Sequence, residues 1–214
     1  MKIALALLAL AAPALSMAQA SVSNSSVESP AQVANELVRA AYAIETADQA
    51  ATESYAKSFE DSFRAGMAQK PNGSLILAQN SDAIAAGMAA VRSEFRSQYR
   101  SFIAPEVTRA VAEIYERTFD LKDLVAIRAH YASPQAQAFL TSFKTNPAGA
   151  PADDPIVLRF RYSKVGRKEI ELSQQIAAVL ASANVQASRD VAPKVIEKFQ
   201  TALERVKAAR RHPK

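Results

Sequence analysis

Apolar side chains recur along this chain at steps of three and four, the spacing that lays one face of an α-helix against a core. The longest such stripe is Ile84, Met88, Val91, Phe95, Tyr99 and Phe102. Before it, Val33, Leu37, Ala40, Ala41 and Ile44 form one helical face. After a bend near Asp48, Tyr55, Phe59, Phe63 and Met67 form another. Ala104-Pro105 ends the long stripe and starts a helix carrying Val107, Val111, Ile114 and Thr118. Leu121, Leu124, Ile127 and Tyr131 mark a shorter one, and Ala136, Phe139, Leu140 and Phe143 point inward from the next. From Pro155 to about Asn184 the pattern predicts one basic helix with Ile170, Ile176, Val179, Leu180 and Ala183 inward. Val195, Phe199, Leu203 and Val206 belong to a last helix, with Asp190 as its cap and Pro193 in its first turn.

The polar punctuation fits these stripes. Ser29-Pro30-Ala31-Gln32 has the cap, first-turn proline and returning amide of a helix start. Pro71-Asn72-Gly73 is a turn, and Leu75-Ile76-Leu77 after it reads as extended chain or loop packing. Residues 144–155 (KTNPAGAPADDP) form a loop that ends in the cap Asp154 and first-turn Pro155. Alanine is abundant and glycine numbers only 5, which favours helix over strand. The expected fold is therefore all-α: a bundle of six to eight helices with short connections, one domain over residues 30–212.

Residues 1–20 stand apart. A basic start at Lys2, an apolar run from Ile3 to Leu15 and the small-x-small ending Ala18-Gln19-Ala20 make a cleavable secretory signal. The run is shorter than the roughly 20 residues that span a bilayer, and no later stretch is long and apolar enough to cross one. The expected location is periplasmic or secreted, with residues 21–29 (SVSNSSVES) as a flexible tether and no transmembrane segment in the mature chain.

Composition then removes chemistry. The 214 residues include no Cys, no Trp and two His, so thiol redox and thiolate metal sites are closed. His130 and His212 are isolated from each other and from any acid–base pattern. No glycine-rich phosphate loop, zinc-binding His pair or serine elbow occurs. Nothing in the sequence calls for a cofactor or a metal, and the residues point away from an enzyme.

One segment carries a motif. Asp120 is placed to cap the helix starting at Leu121, with Asp123 three positions on. Phe119 and Leu124 are placed to clasp across that cap as a hydrophobic staple. Ser133-Pro134 turns a second corner after Tyr131. Residues 105–143 thereby resemble the bacterial domain-of-unknown-function family numbered two-zero-five-nine, whose signature runs Y-x-x-x-F-T-x-x-E-L and then F-Y-x-S-P-x-G-Q. Tyr115, Phe119, Leu124, Tyr131, Ser133, Pro134 and Gln137 match. Asp120 and Asp123 replace Thr and Glu, His130 replaces Phe, and Ala136 replaces Gly. The resemblance implies a helical, exported domain and transfers no catalytic residue; the motif reads as structural punctuation.

Charge gives the one functional candidate. Residues 155–214 hold 13 basic and 5 acidic side chains, whereas residues 21–154 hold 12 and 16. Arg159, Arg161, Lys164, Arg167 and Lys168 cluster around Phe160 and Tyr162. On one continuous helix Arg161, Lys164 and Lys168 would share a face, a strip able to bind phosphate or carboxylate. The partners this admits are an anionic envelope lipid or another envelope protein; export argues against nucleic acid. The bland alternative is a solvated face. Two further readings stay open. A carboxylate-dependent hydrolase would need Glu113, Glu116 or Asp123 buried in a pocket. A subunit of a larger periplasmic assembly would dock through an exposed stripe such as Phe59/Phe63.

Overall fold

The computed structural model describes residues 28–42, 44–145 and 154–211, the side chains of 143–145 excepted. The expected signal peptide, most of the tether, most of the loop after Thr145 and His212 lie outside these residues, as does the Phe143 side chain. Among the described residues there are nine α-helical segments: α1 (Pro30–Tyr42), α2 (Asp48–Ala68), α3 (Gly73–Gln79), α4 (Ser81–Gln98), α5 (Ala104–Thr118), α6 (Leu121–Tyr131), α7 (Pro134–Thr145), α8 (Pro155–Tyr162) and α9 (Lys164–Arg211). A 3-10 turn (Ile44–Ala47) links α1 to α2 at the expected bend. No strand occurs among the described residues. The all-helical bundle is the fold.

Two long rods make its frame. The first is α4 and α5, which are not separated by a break at Ala104-Pro105. They run on through a π-helical turn at Tyr99–Ile103, where the Ala104 amide reaches back five residues to the Tyr99 carbonyl. A wide turn of this kind suits Pro105, which has no N–H to give the preceding turn. It also shifts the phase of the stripe. Ile103, fully buried, takes the inward place expected of Phe102, which is exposed.

The second rod is α9, 48 residues without interruption. Asp190 does not cap a separate helix: its carboxylate accepts from the Gln186 side chain within α9. Pro193 sits inside the helix rather than in a first turn. The rods lie antiparallel along their whole length. Arg210 pairs with Asp82 at one end, Gly87 faces the Phe199 ring, and Lys168 reaches the Thr118 carbonyl at the other end. At Gly87 an added Cβ would stand 2.6 Å from that ring. The interhelical approach therefore depends on the missing side chain.

The remaining helices cover the two halves of this frame. α2 packs on α4, and its Phe59 and Phe63 set their rings edge-on to Phe199, each at 5.1 Å. Those two rings are half-buried, so the stripe expected to be an exposed docking face is instead covered by α9. α1 packs on α5 and α6. Leu75-Ile76-Leu77 lies in α3, a helix rather than extended chain.

The other expected caps form as side-chain bonds. Ser29 Oγ accepts the Gln32 amide, although the Gln32 side chain turns to Glu36 instead of closing the capping box. Asp120 Oδ1 accepts the Asp123 amide at 2.8 Å, with Phe119 and Leu124 buried on either side. Ser133 Oγ accepts the Ala136 amide, and Asp154 Oδ1 accepts those of Ile156 and Val157.

Candidate functional site

The basic segment does not form one helix. Ser163 leaves the helical conformation at ψ 162° and separates α8 from α9. Its hydroxyl donates to the Phe160 carbonyl at 2.7 Å and accepts the Gly166 amide at 3.0 Å, closing one helix and capping the next. Gly166 is needed at this corner because an added Cβ would lie 2.0 Å from the Phe160 carbonyl oxygen. The expected shared face of Arg161, Lys164 and Lys168 is therefore broken: Arg161 ends α8, while the two lysines begin α9.

What the corner does bring together is a group of cations without ion pairs among the described residues. Arg159, Arg161, Lys164 and Arg167 are exposed. Among the described residues no carboxylate reaches ion-pair distance of any of them. Lys168 is different. Its Nζ donates to the Thr118 carbonyl at 2.5 Å and sits 4.9 Å from the Phe119 ring centroid, so it closes the C-terminus of α5. Cations of the earlier helices are mostly matched: Arg92 with Glu53, Arg100 with Asp48, Arg109 with Glu106 and Glu113, Arg128 with Glu28 and Glu36. Large apolar side chains stand open around the unmatched group. Tyr162 is 73% exposed, Ile170 47% and Ile156 45%.

Against the corner, α6, α8 and the first turn of α9 line an open depression of about 400 Å³. Its walls are nearly all carbon, with Ile156 and Arg159 from α8 at the side. His130 stacks flat on Phe160 at 3.8 Å. Burial holds its imidazole below the usual histidine range, which keeps the ring neutral at pH 7.

A second polar cluster lies just inside the corner, at residues the sequence pattern did not single out as a site. Glu169, 7% exposed, faces the core. Its Oε1 accepts the hydroxyls of Tyr115 at 2.9 Å and Tyr131 at 2.6 Å. Because the Tyr115 proton goes to Glu169, the hydroxyl of Tyr42, 2.9 Å away, is the donor to Tyr115. Burial pushes the Glu169 carboxyl up, and the two tyrosine hydroxyls pull it partly back. Burial also lifts Tyr42 to about 12, and lifts Tyr115 and Tyr131, which the Glu169 charge raises further. The residues expected to punctuate a corner thus also hold a buried acid.

The three acids weighed for hydrolysis do not gather at a pocket. Glu113 pairs with Arg109 on the surface, and Asp123 gives its amide to the Asp120 cap. Glu116 is half-buried and Glu113 exposed. None of the three borders the cavity at α8–α9.

Fold and site together define, over the described residues, an all-helical protein on an antiparallel two-rod frame, with a basic corner at one end that has no ion pair among those residues. Comparison with protein-family models, curated proteins and solved structures finds no match to the chain.

Proposed function

We propose that this is an exported binding protein of the cell envelope that lays its α8–α9 corner on an anionic lipid surface. The observation that carries this reading is the company the unpaired cations keep. Arg159, Arg161, Lys164 and Arg167 lack counter-charges among the described residues, and Ile156, Tyr162 and Ile170 stand open beside them. Free cations attract lipid phosphates, each contributing about 1 kcal/mol near a charged surface. Exposed apolar and aromatic side chains gain by entering the headgroup layer. The resemblance of residues 105–143 to an exported family and the signal-like first 20 residues support an envelope location.

Sedimentation with vesicles tests it. The protein should be retained on phosphatidylglycerol vesicles at low salt and released as salt rises. Changing Arg159, Arg161, Lys164 and Arg167 together to Glu should reduce retention to that on phosphatidylcholine. Equal retention of native and variant proteins, both folded by circular dichroism, rejects the reading.

A further inference from the structure

We propose that the cavity at the α8–α9 corner captures one acyl chain of an anionic phospholipid, with Arg159 holding the headgroup. The inference rests on the surface-binding reading and specifies what the corner takes from that surface.

The cavity's volume, about 400 Å³, falls in the range of roughly 300–1,000 Å³ typical of small-molecule sites. Ala126, His130, Ile156, Phe160 and Val165 give it walls with little to offer a polar ligand. His130 does not change that character, since its ring face lies against Phe160. Arg159 is the one charged side chain on the lining, and it has no ion pair among the described residues. An apolar slot with a single free guanidinium beside it complements a ligand with a hydrocarbon chain and one anionic head. Arginine suits a phosphate head because it can give two parallel hydrogen bonds.

The other cavities suit such a ligand less well. The larger one between α3 and α4 has its charges already matched, Glu60 with Arg64 and Arg92 with Glu53. The groove between α2 and α9 also sets an arginine without an ion pair among the described residues, Arg189, beside apolar Tyr55, Phe95 and Val185, but it adds Ser54, Ser58, Asn184 and Ser188, whose hydroxyl and amide groups would be stripped of water by a hydrocarbon chain.

Calorimetry with monomeric lysophosphatidylglycerol, below its micelle concentration, tests the proposal. One molecule should bind per chain, about tenfold tighter than a monoacylglycerol of equal chain length, because the charge-assisted contact is lost with a head that carries no phosphate. Ala126→Trp, which fills the slot from an exposed position, should abolish that binding and leave salt-dependent vesicle retention in place. Ile156→Asp, at the open lip, should weaken it without disturbing the fold. Arg159→Gln should erase the preference between the two heads. Undiminished binding by folded Ala126→Trp and Ile156→Asp variants overturns the site. Vesicle retention without lysolipid binding also overturns it but leaves the surface reading intact. Lysolipid binding without vesicle retention overturns the surface reading and, with it, the claim that the acyl chain comes from a bilayer.

Discussion

At the scale of single residues, Glu169 is the position where physics and pattern diverge most. A carboxylate removed from water with no cation beside it favours its protonated form. The Tyr115 and Tyr131 hydroxyls offset only part of that penalty. Because its folded pKa is raised above 4.5, the native state holds this proton more firmly than the unfolded chain. The stability it contributes is therefore complete below the unfolded value and lost as pH rises through the folded one. Glu169→Gln keeps an oxygen for both tyrosines and removes the titration. Urea unfolding across a pH series should show the variant gaining on the native protein as pH rises from about 4. A difference that stays flat or shrinks would mean that Glu169 is charged and adequately solvated in the fold. The sequence does carry a signal for this acid. Glu169 stands on the same helical face as Leu172, Ile176 and Val179, and a charge on an apolar stripe marks a buried ion. A stripe started at Ile170 is one residue out of phase and hides the acid behind an exposed isoleucine.

Elements respond to glycine in opposite ways, according to what surrounds the missing side chain. Gly66 lies inside α2 with nothing within 4 Å of an added Cβ. Gly66→Ala should therefore stabilise the protein by about 0.5–1 kcal/mol, by restricting the unfolded chain and favouring helix. Gly166 also lies in a helix, but there the new Cβ would strike the Phe160 carbonyl and force α8 away from α9. The clash outweighs the propensity gain, and Gly166→Ala should cost roughly 1–3 kcal/mol. Thermal melts of the two variants should move in opposite directions; a rise for both would show the corner to be looser than the geometry requires. Helix identity is largely legible in the sequence, because the caps at Ser29, Asp120, Ser133 and Asp154 all form. Helix ends are less so. Pro105 and Pro193 read as boundaries because proline removes a backbone donor, yet a π-helical turn accommodates the first and tertiary packing carries α9 through the second. Ser163 is the reverse case. It caps a new helix, but the basic residues on both sides keep the helical period going across it, and the shared face they suggest does not exist.

For the molecule as a whole, the two antiparallel rods set both shape and polarity. At 1.5 Å per residue α9 alone is roughly 72 Å long, and the continuous α4–α5 rod runs beside most of it. A compact chain of this length would have a radius of gyration of about 17 Å. A straight rod of α9's length already gives about 21 Å on its own. X-ray scattering should accordingly return a radius above about 20 Å and a maximum dimension above about 70 Å. A radius near 17 Å with a maximum dimension under about 60 Å would mean that α9 breaks in solution, with Pro193 the obvious place. The length also separates the ends. Arg210 is neutralised by Asp82 at one end, while the other carries Arg159, Arg161, Lys164 and Arg167 unmatched among the described residues. Charges that far apart are many screening lengths from each other at physiological salt. Asp120, Asp123 and Asp154 lie at the same end as the corner, yet among the described residues none of them stands at ion-pair distance of its four exposed cations. A chain of modest net charge, +5 over its full length, thus presents four cations free of ion pairs among the described residues to an anionic surface.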